Sequence, residues 1–239
     1  MDAALDCLAV PQPYGWQRFQ ARLVHGIKRA ALRQLHVTEA GERLLLQIYL
    51  IGEEATEIGL QRELIGERPV WLARQMDQHL TDEQQHARAF TAALIERGGT
   101  PSHAQPDLLS KFKIRQWHRL AHRYAGEFSA GLLVPAFAIG LCAEQMASRV
   151  LTRHCQLIGA QHPLHRLLAS VLADETRHVR LCSRTLTRLV LPNERAALAA
   201  LLGQIRQVDR AFGIGGALVM YLTGLALRLY PPTAARRCA

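Results

Sequence analysis

Apolar residues recur every three to four positions along almost the whole chain, and no stretch sustains the period-two alternation of a half-buried strand. That pattern predicts helices throughout. From Trp16 to about Leu35, Phe19, Leu23, Ile27, Ala30 and Ala31 fall on one face while Arg18, Arg22, Lys28, Arg29 and Arg33 fall elsewhere, which reads as an amphipathic, basic helix. A long helix is expected from about Glu39 to Leu64 and is stopped by Gly66-Glu-Arg-Pro69. Pro69 then fits the first turn of the next helix, Val70 to about Arg97. Gly98-Gly-Thr-Pro101 ends that helix and opens a connection with an amphipathic helix of its own, about Pro106 to Tyr124. A third long helix grows out of the apolar stretch Leu132 to Ala143 and continues to about Leu157, and a fourth runs from about Leu164 to Leu189. After the break at Leu191-Pro192-Asn193, Asn193 is placed to cap a helix through about Val208. An uncharged segment, Ala211 to Leu227, follows.

The fold class read from this pattern is all-α. Two long antiparallel hairpins joined by a crossover occupy residues 38–190. An N-terminal extension, 1–37, precedes them, and C-terminal apolar helices, 191–239, pack on the bundle.

Two of the predicted helices repeat a motif. Leu80-Thr-Asp-Glu-Gln-Gln-His-Ala-Arg88 and Leu172-Ala-Asp-Glu-Thr-Arg-His-Val-Arg180 both read Leu-x-Asp-Glu-x-x-His-x-Arg. Glu and His three residues apart lie on one helix face and can ligate one metal side by side. Carboxylate oxygen with imidazole nitrogen is a hard-to-borderline donor set suited to iron or manganese. A site built on two such helices needs a carboxylate from each of the other two. Aligning Gly52-Glu-Glu-Ala-Thr-Glu57 with Ala143-Glu-Gln-Met-Ala-Ser148 pairs Glu53 with Glu144; 30 residues then separate Glu53 from Glu83, and 31 separate Glu144 from Glu175.

Hairpin geometry gives the same pairing. Residues equidistant from a turn sit at one height, because both helices rise about 1.5 Å per residue. With turns centred near residues 67–68 and 160, Glu53, Glu83, Glu144 and Glu175 all lie about 14–16 residues from their turn. Six candidate ligands, Glu53, Glu83, His86, Glu144, Glu175 and His178, therefore converge. Glu144 also follows an uncharged run from Phe128 to Ala143, where a carboxylate is costly unless a metal or partner compensates it.

On these motifs residues 38–190 resemble the ferritin-like di-iron carboxylate superfamily, whose members include rubrerythrins, bacterial multicomponent monooxygenases, acyl-carrier desaturases and aldehyde-deformylating oxygenases. The resemblance implies that Glu53, Glu83 and His86 serve one iron and Glu144, Glu175 and His178 the other, with Glu83 and Glu175 as bridges. It also implies that Asp82 and Asp174, which precede the motif glutamates as in the monooxygenases, accept the second N–H of the metal-bound imidazoles across the bundle. Arg177 matches the monooxygenase form, whereas Gln85 departs from it.

Other departures narrow the comparison. No Cys-x-x-Cys is present among Cys7, Cys142, Cys155, Cys182 and Cys238, which excludes a full rubrerythrin architecture. Phe90 and Leu94 stand where a ribonucleotide-reductase-like radical site would want tyrosine. Val171 stands where arylamine N-oxygenases carry a third histidine. Ferritin itself is shorter and acidic.

Glu57, one turn after Glu53, is a candidate extra carboxylate, with a surface pair to Arg62 the preferred reading. Glu54 should point about 100° away from the site. Tyr49, Phe137, Gly140 and Leu141, one or two turns before Glu53 and Glu144, are candidates to line a substrate pocket.

Composition adds partners. Lys and Arg outnumber Asp and Glu by 29 to 20, a net charge of +9. On the crossover helix Leu109, Phe112, Trp117, Leu120 and Tyr124 sort to one side, and Lys111, Lys113, Arg115, Arg119, His122 and Arg123 to the other. A basic face of this kind suits an acidic electron donor such as a ferredoxin, or an acyl carrier protein. No nucleic-acid motif accompanies the charge, so nucleic acid is not expected. Five widely spaced cysteines and acids at the start of the chain fit a reducing, cytoplasmic setting without a secretion signal. The 17-residue segment Ala211–Leu227 reads as a buried terminal helix or a homodimer interface rather than a membrane anchor.

The function expected is that of an O2-dependent oxidoreductase. Two iron ions (manganese being the alternative metal) would activate O2 to hydroxylate, desaturate or otherwise oxidise a small organic or carrier-bound substrate. A non-catalytic iron-binding or storage protein, and a membrane-associated di-iron hydroxylase, are the competing readings.

Overall fold

A computed structural model of the chain describes residues 5–63, 68–101 and 108–230, with the side chains of 57–63 and 108–109 excepted. Among these residues the only regular secondary structure is helix. Its α-helices are α1 (Trp16–Leu35), α2 (Glu39–Glu63), α3 (Val70–Glu96), α4 (Leu108–Tyr124), α5 (Leu133–Ile158), α6 (His165–Leu189) and α7 (Arg195–Leu229). Helices α2 and α3 pack as one pair, α5 and α6 as another, and α3 meets α6 across the gap. Helix α1 lies along α7, which also packs on α4 and α5.

Each central helix buries a stripe spaced by three and four residues, which is what a bundle core requires. On α3 the stripe is Leu72, Met76, His79, Glu83, His86, Phe90 and Leu94, all buried. On α6 it is Leu168, Val171, Glu175, His178, Cys182 and Leu186, and on α5 it includes Val134, Phe137, Leu141, Glu144 and Leu151. The apolar ends of these stripes form two separate cores. One gathers Leu72, Met76, Phe137, Leu141, Cys182 and Leu186 with Leu198, Leu201, Leu202 and Ile205 of α7. The other gathers Leu46, Leu50, Phe90, Leu94, Leu151, Leu164, Leu168 and Val171. The ionisable residues of the three stripes make a single layer between them.

Three expectations are corrected. Residues 195–229 form one continuous helix, not two segments, because nothing between Val208 and Ala211 interrupts the backbone hydrogen bonds. Its glycines cost helix propensity but allow close packing: a Cβ on Gly224 would lie 2.8 Å from Gln34 Cβ, so α1 approaches α7 closely there. The N-cap of α7 is Glu194 rather than Asn193. The apolar face predicted for α1 buries only its second half. Ala31, Leu32 and Leu35 are buried, whereas Trp16, Phe19 and Leu23 stay exposed because no helix among the described residues covers the first turns. On α4, Phe112 is exposed as well.

Candidate metal centre

The polar layer is built by four helices. Glu53 comes from α2; His79, Asp82, Glu83 and His86 from α3; Glu144 from α5; Asp174, Glu175 and His178 from α6. Two groups of donor atoms lie within 4.8 Å of one another: Glu53, Glu83, His86 and Glu175 in one, and His79, Glu83, Glu144 and His178 in the other. All six residues of the predicted ligand set are therefore brought together, and Glu83 belongs to both groups. Glu83 is 1% exposed, Glu175 and His178 2%, and His79, His86 and Glu144 4%, so water screens none of these charges.

His86 Nδ1 bonds Glu53 Oε2 at 3.4 Å, but several other polar atoms of the layer face each other without hydrogen-bonding. Glu83 Oε1 is 3.2 Å from His79 Nε2 and 3.2 Å from His178 Nδ1, and His79 Nε2 is also 3.2 Å from Glu144 Oε1. Yet Glu83 Oε1, His79 Nε2, His178 Nδ1 and Glu175 Oε2 have no hydrogen-bond partner among the described residues. Buried orphan donors and acceptors are rare and costly. Three of them, on Glu83, His79 and His178, fall in one donor group and fit a common cationic partner, and mixed oxygen and nitrogen donors suit a transition-metal ion. The residues present therefore fit a metal.

Behind the donors a reciprocal pairing spans the two hairpins. His86 Nε2 lies 3.1 Å from Asp174 Oδ2, and His178 Nε2 lies 3.2 Å from Asp82 Oδ2. Each histidine thus keeps one ring nitrogen for the centre and gives the other to an aspartate of the opposite helix, an arrangement that fixes ring orientation and tautomer. Arg177 contacts both aspartates, Asp82 at 3.1 Å, and closes the layer on its solvent side. Burial alone would raise Asp82, but Gln78, His178 and Arg177 beside it hold its carboxyl below the usual range.

The remaining predicted residues are distributed differently. Tyr49 turns to His154, its hydroxyl 2.7 Å from Nδ1. Phe137 and Leu141 are packed in the larger apolar core, and a Cβ on Gly140 would sit 3.5 Å from Cys182 Sγ. Val171 is likewise a core residue. The side chain of Glu57 lies outside the described residues. His79 is the member of the layer that sequence reading missed. It sits four residues before Glu83 on the buried stripe of α3, and a histidine at a position otherwise reserved for Leu or Met was the available signal. A third histidine was sought only before Glu175, in the other half of the repeat.

Electrostatics show what a cation would displace. Burial pushes the Glu53 carboxyl up to about 8, an effect that neighbouring His86 only partly offsets. Burial would lower His178, but Glu144 and Glu83 beside it raise it to about 10, and His79 and His86 are raised by carboxylates in the same way. Of the adjacent pair Glu144 and Glu175, Glu144 is held low by Glu175, His178 and His79 despite its burial, while burial and Glu144 push Glu175 up. At neutral pH the metal-free layer thus stores protons on Glu53, Glu175 and His178. A metal must expel them, so affinity rises with pH. Competition with a chelator should show metal affinity at least about tenfold higher at pH 8.5 than at pH 6.5, with protons released on loading.

No protein-family model matches the chain, and no curated protein or solved structure is detectably similar to it.

Proposed function

We propose that the layer holds two iron ions and that the protein is a di-iron oxidase or oxygenase of the ferritin-like carboxylate type. The observation that carries this reading is the buried convergence of four carboxylates and three imidazoles with four donor atoms left without hydrogen bonds. Two divalent cations can displace the protons of the layer and balance its four carboxylates. Glu53, His86 and Glu175 would hold one ion, His79, Glu144 and His178 the other, and Glu83 would serve both. Manganese suits the same donors.

Bound iron would supply O2 activation and the oxidising power to transform an organic substrate. The chain's own contribution is positional. Asp82 and Asp174 orient the imidazoles, Arg177 keeps both aspartates in place, and the flanking cores keep bulk water away. A surface hollow of about 310 Å³ is lined by Gln145, Arg149, Arg153 and Val179, and its arginines favour a small or carrier-bound substrate with an acidic group. On α4, Arg115, Arg119 and Arg123 form an exposed stripe that suits an acidic electron donor or acyl carrier protein.

Iron-loaded protein given a chemical reductant should consume O2 continuously, whereas zinc-loaded protein should not. Uptake that stops after one oxidation of the bound iron would favour the iron-storage reading instead.

One observation favours a membrane-associated form of the same enzyme. Helix α7 is long and apolar enough to cross a bilayer, and only 11% of its most apolar 18-residue window is buried. Its first half is locked in the core through Leu198, Leu201, Leu202 and Ile205, so α7 would lie against a membrane rather than span it. Its exposed Leu218, Val219 and Leu222, with Trp16, Phe19 and Leu23 of basic helix α1, provide the apolar contacts. Cosedimentation with vesicles containing anionic lipid tests this form. Binding weakened severalfold by Leu222→Glu supports it, and a protein that stays in the supernatant overturns it.

A further inference from the structure

A second cluster of metal-ligating side chains lies away from the polar layer, where α1 turns into α2 beside the turn between α5 and α6. The local chain explains its assembly. His36 is the C-cap residue of α1, and Thr38 Oγ1 accepts a hydrogen bond from Gly41 N at 3.0 Å at the start of α2. Gly41 is required by the tightness of this turn, since a Cβ there would come within 2.1 Å of the Leu35 carbonyl oxygen. The turn brings His36 back onto Glu42, whose Oε1 is 2.9 Å from His36 Nδ1 and 3.1 Å from His162 Nε2. His162 stands in the α5–α6 turn, more than a hundred residues away in sequence. The three donor atoms lie within 4.8 Å of one another, and the rings of His36 and His162 meet edge to face at 5.3 Å.

We propose that His36, Glu42 and His162 form a second metal site that takes a single borderline divalent transition ion such as Zn2+. Two imidazoles and one carboxylate make a three-ligand zinc set that leaves a fourth position for water. The far side of each of two ligands is already held, as metal ligands usually are. His36 Nε2 contacts His154 Nε2, and His154 Nδ1 in turn faces the Tyr49 hydroxyl at 2.7 Å. Glu42 Oε2 contacts Arg97 Nε at 3.3 Å, which leaves Oε1 as the oxygen directed between the two imidazoles. Leu164 N–H donates to His162 Nδ1 at 3.2 Å in the metal-free protein, a bond the ring gives up when Nε2 takes the ion. The bound ion would tie α1 to both hairpins, a cross-link of the N-terminal helix onto the bundle.

The site shares no residue with the polar layer, so the two stand or fall separately. The test is Zn2+ stoichiometry by equilibrium dialysis on the full-length chain, with the visible absorption of bound Co2+ as a second readout. Wild type should bind one ion per chain more than His162→Ala and one more than Glu42→Gln, and the Co2+ band of the site should vanish in both. His162 lies in a surface turn and Glu42→Gln preserves shape, so helicity by circular dichroism should be unchanged. In a Glu83→Ala background one tight Zn2+ should remain, and His162→Ala should remove it. Equal stoichiometry in wild type, His162→Ala and Glu42→Gln would overturn the proposal, whatever happens at the polar layer.

Discussion

Glu83→Ala should empty the bundle centre of both ions at once. Glu83 belongs to both donor groups, and its Oε1 faces His79 and His178 at 3.2 Å each. Every other carboxylate in the layer is found in one group alone. Its removal takes a ligand from each ion and leaves two imidazoles facing a void, so iron retained after anaerobic loading and desalting should fall by about two per chain, with loss of O2 uptake. The helix itself should persist, because Leu72, Met76, Phe90 and Leu94 still anchor its stripe in both cores. Retention of wild-type iron by Glu83→Ala would mean that the layer is a charge network rather than a metal centre.

Glu53→Ala and Glu144→Ala should each remove about one ion, because they belong to opposite groups. O2 uptake should be lost in both, since the proposed reaction would need the pair. In Glu53→Ala metal-free stability need not fall, because burial already pushes this carboxyl up to about 8 and deleting it relieves a desolvation cost. In Glu144→Ala it should fall, because His79 and His178 lose the carboxylate they face. Glu54→Ala is the internal control, one residue along and turned by about 100°. It should load iron like wild type. Loss of iron in Glu54→Ala with retention in Glu53→Ala would put the register of α2 wrong by one residue, and loss in Glu57→Ala alone would undo the alignment of the two halves.

The helical pattern was legible because it repeats: the boundaries of α1, α3 and α6 follow from periodicity and from Pro and Gly breaks to within a residue or two. The six-residue cluster was legible for the same reason, since a repeated Asp-Glu-x-x-His and a hairpin of fixed rise bring Glu53, Glu83, Glu144 and Glu175 to one height. His79 escaped because it has no counterpart in the second repeat, where Val171 fills the apolar core. Exposure of Phe19, Leu23 and Phe112 was not legible, because periodicity says which face is apolar but not whether another helix arrives to cover it. The His36, Glu42, His154 and His162 cluster was beyond sequence reading altogether: its members come from two turns and two helix ends, with no shared spacing. The continuity of α7 through Gly213, Gly215 and Gly216 reflects tertiary contact with α1 outweighing weak local propensity.

Anomalous diffraction at the iron edge from crystals of the iron-loaded protein tests the proposed dinuclear centre most directly. Two peaks about 3.5–4 Å apart are predicted between α2, α3, α5 and α6, one beside Glu53 and His86, the other beside His79, Glu144 and His178, with Glu83 touching both. A single peak there, or none, would contradict it.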